Sequence, residues 1–159
     1  MARSGDSLLA VDLGVKTGLA RYSQTGRLLS YGSRNFGTTA RLRRAAGQLL
    51  AEDPGVTCLV LEGGGPLADI WQHAAEHLHI PVRIVTAERW RRLLLYPRQQ
   101  RNGRQAKLQA GRLAHRVISW SGAPRPTSLR HDAAEAILLG LWAVLELGWL
   151  PALPAELRP

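Results

Sequence analysis

Leu8-Leu9-Ala10-Val11-Asp12-Leu13-Gly14-Val15-Lys16-Thr17-Gly18-Leu19-Ala20-Arg21-Tyr22, then Gln24-Thr25-Gly26 and Arg27-Leu28-Leu29-Ser30-Tyr31, is the stretch that decides the fold. Three short runs rich in apolar and β-favouring residues, at 8–13, 17–22 and 27–31, are separated by turn chemistry at Gly14 and at Gln24-Thr25-Gly26. Runs this short with connections this tight predict three strands joined as a meander.

Downstream the period changes. Leu42, Ala45, Ala46, Leu49 and Leu50 recur at helical spacing after Thr38 or Thr39 as cap, and the pattern stops before Asp53-Pro54-Gly55. Residues 57–61 form a fourth apolar run, closed by Glu62 and three glycines. A second helix follows through Leu67, Ile70, Trp71, Ala74 and Leu78, and residues 80–85 read as a fifth strand. Beyond it stand a short helix at 87–95, a polar loop at 96–103, a weakly periodic helix at 104–118 and a nearly all-round apolar helix at 129–147, which should be buried. The tail from Gly148 reads as irregular. Crossovers through helices make strands four and five parallel to strand one. The expectation is an α/β domain with a five-stranded mixed sheet, a three-strand meander plus two parallel strands, flanked by helices. At 159 residues, with no repeat and no low-complexity linker, it is expected to be a single domain over 1–159. A chain of that size has no second lobe, which argues against bilobal kinases and actin-like ATPases.

The charge is concentrated. Between Arg83 and Arg116 nine Arg and Lys107 face the single acid Glu88, a surplus of nine that equals the net charge of the whole chain, +9. Of the 21 bases all but Lys16 and Lys107 are arginine, whose planar fork matches phosphate. A basic stripe of this kind points to a polyanion, nucleic acid foremost, with Arg91, Arg92, Arg98, Arg101, Arg104, Lys107 and Arg112 as its contacts. One cysteine, Cys58, rules out an internal disulfide and thiolate zinc clusters, so the chain reads as cytoplasmic. No apolar run is long enough for a signal peptide or a membrane span.

Acids sit where an α/β sheet collects its ligands, at the carboxyl ends of central strands. Asp12 ends the first strand and Glu62 the fourth. Asp132 and Glu135, in His131-Asp132-Ala133-Ala134-Glu135-Ala136, share one face near the start of the last helix. Four converging carboxylates in a poorly solvated cleft raise each other's pKa unless cations join them, and hard Mg²⁺ or Mn²⁺ suits oxygen donors. Two such ions about 4 Å apart bridge a scissile phosphate in phosphodiester hydrolysis.

These motifs, Asp12-Leu13-Gly14 with Thr17-Gly18, the strand ending in Glu62, and Asp132-Ala133-Ala134-Glu135-Ala136, resemble the RuvC-type Holliday junction resolvases of the RNase H-like nuclease superfamily, over about residues 8–145. The resemblance implies an RNase H-like fold, Mg²⁺-dependent cleavage that leaves 5′-phosphates, and a homodimer on four-way DNA junctions. It also implies Asp12, Glu62, Asp132 and Glu135 as metal-binding catalytic acids and Lys107 as the lysine near the scissile phosphate. Leu13 stands where the family motif has Pro, Glu135 where it has Asp, and Pro66-Leu67 where it often carries an aromatic wedge. Two alternatives share these residues: an RNase H-like nuclease acting on structured RNA, and a branched-DNA-binding module without turnover.

Other motifs carry less. His73-Ala74-Ala75-Glu76-His77 matches the inverted zinc-peptidase pattern but lacks a specified third ligand. Trp71 falls in an apolar stripe and reads as core. Trp90 and Trp120 flank basic segments and read as packing residues with base stacking as the alternative. For a dimer, the two candidate flanks are the last helix from Ile137 to Leu147 and the second helix near Trp71.

Overall fold

The computed structural model describes residues 5–95 and 102–158, so Arg98 and Arg101 lie outside the described residues. The elements run β1 (Ser7–Asp12), β2 (Lys16–Ser23), β3 (Leu28–Asn35), α1 (Thr39–Glu52), β4 (Val56–Glu62), α2 (Pro66–His77), β5 (Val82–Val85), α3 (Ala87–Leu94), α4 (Gly103–Ser121) and α5 (His131–Glu146). The sheet order is β3-β2-β1-β4-β5. β1 pairs antiparallel with β2 and β2 with β3, whereas β1–β4 and β4–β5 are parallel. This is the mixed five-stranded sheet that the meander and the crossovers predict.

Strand period two sorts the side chains onto two faces. Leu8 and Ala10 of β1 with Cys58 and Val60 of β4 enter the core under α4 and α5; Leu9 and Val11 with Leu59 and Leu61 enter the core under α1 and α2. Continuing the parity by one step puts Asp12 and Glu62 on the α5 side.

On that face α5 lies against the sheet at unusually close range. A Cβ added to Gly140 would stand 2.3 Å from the Tyr22 ring, and one added to Gly18 would stand 1.9 Å from the Asp132 carbonyl oxygen. Two glycines, one on the helix and one on β2, therefore let helix and sheet touch at both ends of the contact. Between them Tyr22, fully buried, donates its hydroxyl to the Ile137 carbonyl. Burial raises the Tyr22 pKa, so the phenol stays a donor. From Ala133 to Val144 every residue of α5 is buried within the chain, as its all-round apolar sequence requires. That burial also removes most of α5 as a flank for pairing with a second copy, because its apolar surface is already covered by the sheet, α3 and α4.

The helix ends follow capping chemistry. Thr38 Oγ1 accepts from Arg41 N at the start of α1, Asn102 Oδ1 from Gln105 N at the start of α4, and Gly122 closes α4 in a left-handed conformation. The tail differs from its irregular reading at one place. A 3-10 turn at Ala155–Leu157 packs onto α4 and buries Leu157, because one apolar residue between prolines suffices to anchor a short tail on a helix. Among the described residues no helix is long and apolar enough to cross a membrane.

Candidate active site

Asp12 and Glu62 are direct neighbours across the parallel β1–β4 pair, in the same register step and at the carboxyl ends of both strands. Gly18, on β2, is the partner of Asp12 on its other side. Because Gly18 has no side chain, the first turn of α5 descends onto it and brings Asp132 to the strand acids. Asp132 is held from two directions: Ser33 on β3 donates to Oδ2 at 2.7 Å, and the Ala133 N–H donates to Oδ1 at 2.9 Å. Glu135, one turn further along α5, is only 3% exposed.

The electrostatics are those of crowded carboxylates. The Asp12 pKa is pushed up to about 8, first by burial, then by Glu62 through hydrogen bonding and charge, and then by the charges of Glu135 and Asp132. That of Glu135 rises to about 7, again by burial first and by Glu62 second, with Arg91 pulling it down. Glu135 Oε1 takes the Arg91 guanidinium at 3.0 Å and faces His131 Nε2 at 3.1 Å, while its Oε2 is buried with no hydrogen-bond partner among the described residues. His131 has a lowered pKa, from burial and then from the cations Lys107 and Arg91, so at neutral pH the ring is uncharged.

These features fit a hard divalent cation. The donors are all carboxylate oxygens, the pKa values of Asp12 and Glu135 are raised by burial and by their carboxylate neighbours, and one buried oxygen has no donor to satisfy it. Among the described residues no group of three His, Cys, Asp or Glu stands as a preformed cage. Arg91 and His131 meanwhile occupy the second oxygen of Glu135.

The basic residues divide. Arg91 turns inward onto Glu135, half-buried, although its place in the basic stripe suggested a strand contact; α3 presents it to α5 because Trp90, its neighbour, is sunk in the core. Arg92 is exposed and pairs with Glu88 at 3.1 Å one turn back. Arg104, Lys107 and Arg112 are exposed on α4. Arg104 and Lys107 line a groove of about 500 Å³ that reaches His131 and Ala134 in the first turn of α5; the four acids do not line it.

Trp90 is fully buried, a packing residue, and presents no face to a base. Its indole N–H donates to Glu62 Oε1 instead. Sequence reading had no signal for this bond, nor for Ser33, which reaches Asp132 only because β3 pairs with β2. Trp71 is core, as its stripe predicts. Trp120 is half-buried under the Arg27 guanidinium, 3.7 Å from the ring centre. His73 and His77 stack on the outer side of α2, at 6.0 Å between ring centres, away from the acids.

No protein-family model and no curated protein matches the sequence. Among solved structures, T. thermophilus RuvC in complex with Holliday junction substrate superposes with a TM-score of 0.63 at 16% identity, covering 89% of this chain and 95% of that one. The yeast mitochondrial Holliday junction resolvase Ydc2 superposes with a TM-score of 0.50 at 10% identity, covering 93% and 85%. The chain has the RNase H-like fold, in the form shared with these two proteins.

Proposed function

We propose that this protein is a divalent-metal-dependent endonuclease that cleaves branched DNA, four-way junctions foremost, by phosphodiester hydrolysis that leaves 5′-phosphates. The observation that carries the reading is the meeting of Asp12, Glu62, Asp132 and Glu135 at one end of the sheet, beside a groove lined by Arg104 and Lys107. The fold shared with two Holliday junction resolvases supports it.

In this reading Asp12, Glu62, Asp132 and Glu135 hold Mg²⁺ or Mn²⁺, two ions per site. When bound, the metal supplies Lewis acidity that activates water and stabilises the leaving oxygen. The chain's own side chains do the rest. Asp12 and Glu62, fixed side by side by strand register, would present their carboxylates together to the metal. Lys107 reaches the scissile phosphate from α4, and the exposed Arg104 and Arg112 hold the flanking backbone. Gly63, Gly64 and Gly65 put no side chain between the strand ends and a bound strand. Ser33 orients Asp132. One site makes one cut, so resolving a junction into two duplexes requires two copies related by a two-fold axis, that is, a homodimer.

The test is cleavage of labelled four-way junction, linear duplex and structured RNA, with and without Mg²⁺, alongside light scattering of the protein alone and on junction. Paired symmetric nicks near the crossover by a dimer, dependent on metal, are expected. Preferential cutting of structured RNA moves the assignment to an RNA-processing relative, and tight junction binding without cleavage in either Mg²⁺ or Mn²⁺ moves it to a binding module.

A further inference from the structure

The two fully buried tryptophans on opposite faces of the sheet are treated differently. Trp71, on α2, packs its ring in the core and leaves its N–H without a partner among the described residues. Trp90, on α3, is equally buried, yet its N–H meets Glu62 Oε1. The fold therefore tolerates an indole that is only a hydrophobic filler, and Trp90 is something more.

An indole N–H is a donor with no acceptor capacity and, once the ring is packed, with one direction. Glu62 needs such a fixed donor. It ends β4, is followed by Gly63-Gly64-Gly65, and has three side-chain torsions with no neighbouring loop side chain to restrain them. Its carboxylate is also near enough to two others that both Asp12 and Glu135 feel its charge. Left free, repulsion between the acids would swing the Glu62 carboxylate away from the position a cation needs.

Resting on the metal-site reading above, we propose that Trp90 is a positioning residue for Glu62: its buried N–H occupies Oε1 and fixes the carboxylate among the acids that would hold the cation. α3 then acts as a brace for the acid cluster from the β5 side, since the next residue, Arg91, reaches Glu135 from the same helix. Outer partners that orient metal-binding carboxylates typically account for about 10–100-fold in metal affinity.

The experiment measures Mn²⁺ binding directly, by the loss of the free-ion electron paramagnetic resonance signal, on wild type, Trp90→Phe, Glu62→Gln and the double variant. A fifth sample carries β-(3-benzothienyl)alanine at position 90, which keeps the shape of the indole and lacks the N–H, and so covers the case in which Trp90→Phe fails to fold. Removing the N–H should weaken Mn²⁺ binding about 10–100-fold, with junction affinity in EDTA unchanged. It should add no weakening in the Glu62→Gln background. If Glu62→Gln weakens Mn²⁺ binding but the benzothienyl protein does not, or if the two effects are independent, the positioning role is overturned. If Glu62→Gln itself leaves Mn²⁺ binding intact, it is the metal-site reading that fails.

Discussion

The two faces of the sheet solve different packing problems with the same strands. Toward α1 and α2, β1 and β4 present Leu9, Val11, Leu59 and Leu61, large side chains that fill the space between layers and include no acid. Toward α5 they present Leu8, Ala10, Cys58 and Val60 and then Asp12 and Glu62, and the helix comes close enough that two glycines are obligatory. The four acids lie on the face where backbone, not bulk, sets the spacing, because there the ends of β1 and β4 and the first turn of α5 come within reach of one another.

The sharpest way to break this contrast is at the acids. Asp12→Asn, Glu62→Gln and Asp132→Asn should each reduce metal-dependent junction cleavage on the order of 1,000-fold, equivalent to about 4 kcal/mol, with junction affinity in EDTA near that of wild type. Glu135→Gln should cost about 100-fold, since Arg91 and His131 share that side chain. On the other face Leu59→Ala should cost about 2–5 kcal/mol of stability and leave cleavage per folded molecule unchanged. Wild-type rates in Asp12→Asn would sink the site assignment.

Glycines sharpen the same comparison. Gly140→Ala, on α5, should destabilise the protein by about 1–3 kcal/mol, because the added methyl meets the Tyr22 ring and Ala10. Gly18→Ala should cost as much and should also slow cleavage in the molecules that remain folded, since it pushes Asp132 off the sheet. Gly47→Ala, on α1, meets nothing within 4 Å and should stabilise by about 0.5–1 kcal/mol through helix propensity alone. Denaturant melts of the three variants separate these signs.

A smaller effect is the pH dependence of the metal-free protein. Asp12 and Glu135 have folded pKa values raised to about 8 and about 7, so the folded state holds more protons than the unfolded chain. Their stabilising contribution is full below about pH 4 and is lost as pH rises through 7 to 8. In EDTA, Asp12→Asn should therefore raise the melting temperature relative to wild type by about 2–4 °C at pH 9, roughly 1 kcal/mol, and by less at pH 6. Saturating Mg²⁺ should stabilise wild type more at pH 9 than at pH 6. Equal shifts of Asp12→Asn at both pH values would show that the carboxylates do not crowd one another.

The gentlest test concerns the groove. Neutralising Arg104 and Lys107 together should flatten the dependence of log K on log salt by about one to two units of slope, with the fold intact. An unchanged slope would remove this groove from the path of the nucleic acid.

Much of this was legible in the residues themselves. Short runs of five or six residues with Gly14 and Gln24-Thr25-Gly26 between them specify a meander, and period two along β1 and β4 is enough to put Asp12 and Glu62 on one face, because alternation is a property of a single strand. Spacing three does the same for Asp132 and Glu135 on a helix. What spacing does not carry is which side chain of a separate element arrives beside them. The basic stripe makes Arg91 a candidate nucleic-acid contact, but only the packing of α3 against α5 brings it to Glu135, 44 residues away in sequence. Trp90 is the packing residue its segment predicts, and in addition its N–H meets Glu62, 28 residues back, for which spacing carries no signal. Element types and faces follow from local periodicity. The partners of the buried polar atoms were decided by tertiary packing, since a donor finds its acceptor only after the apolar residues around both have fixed where each helix lies.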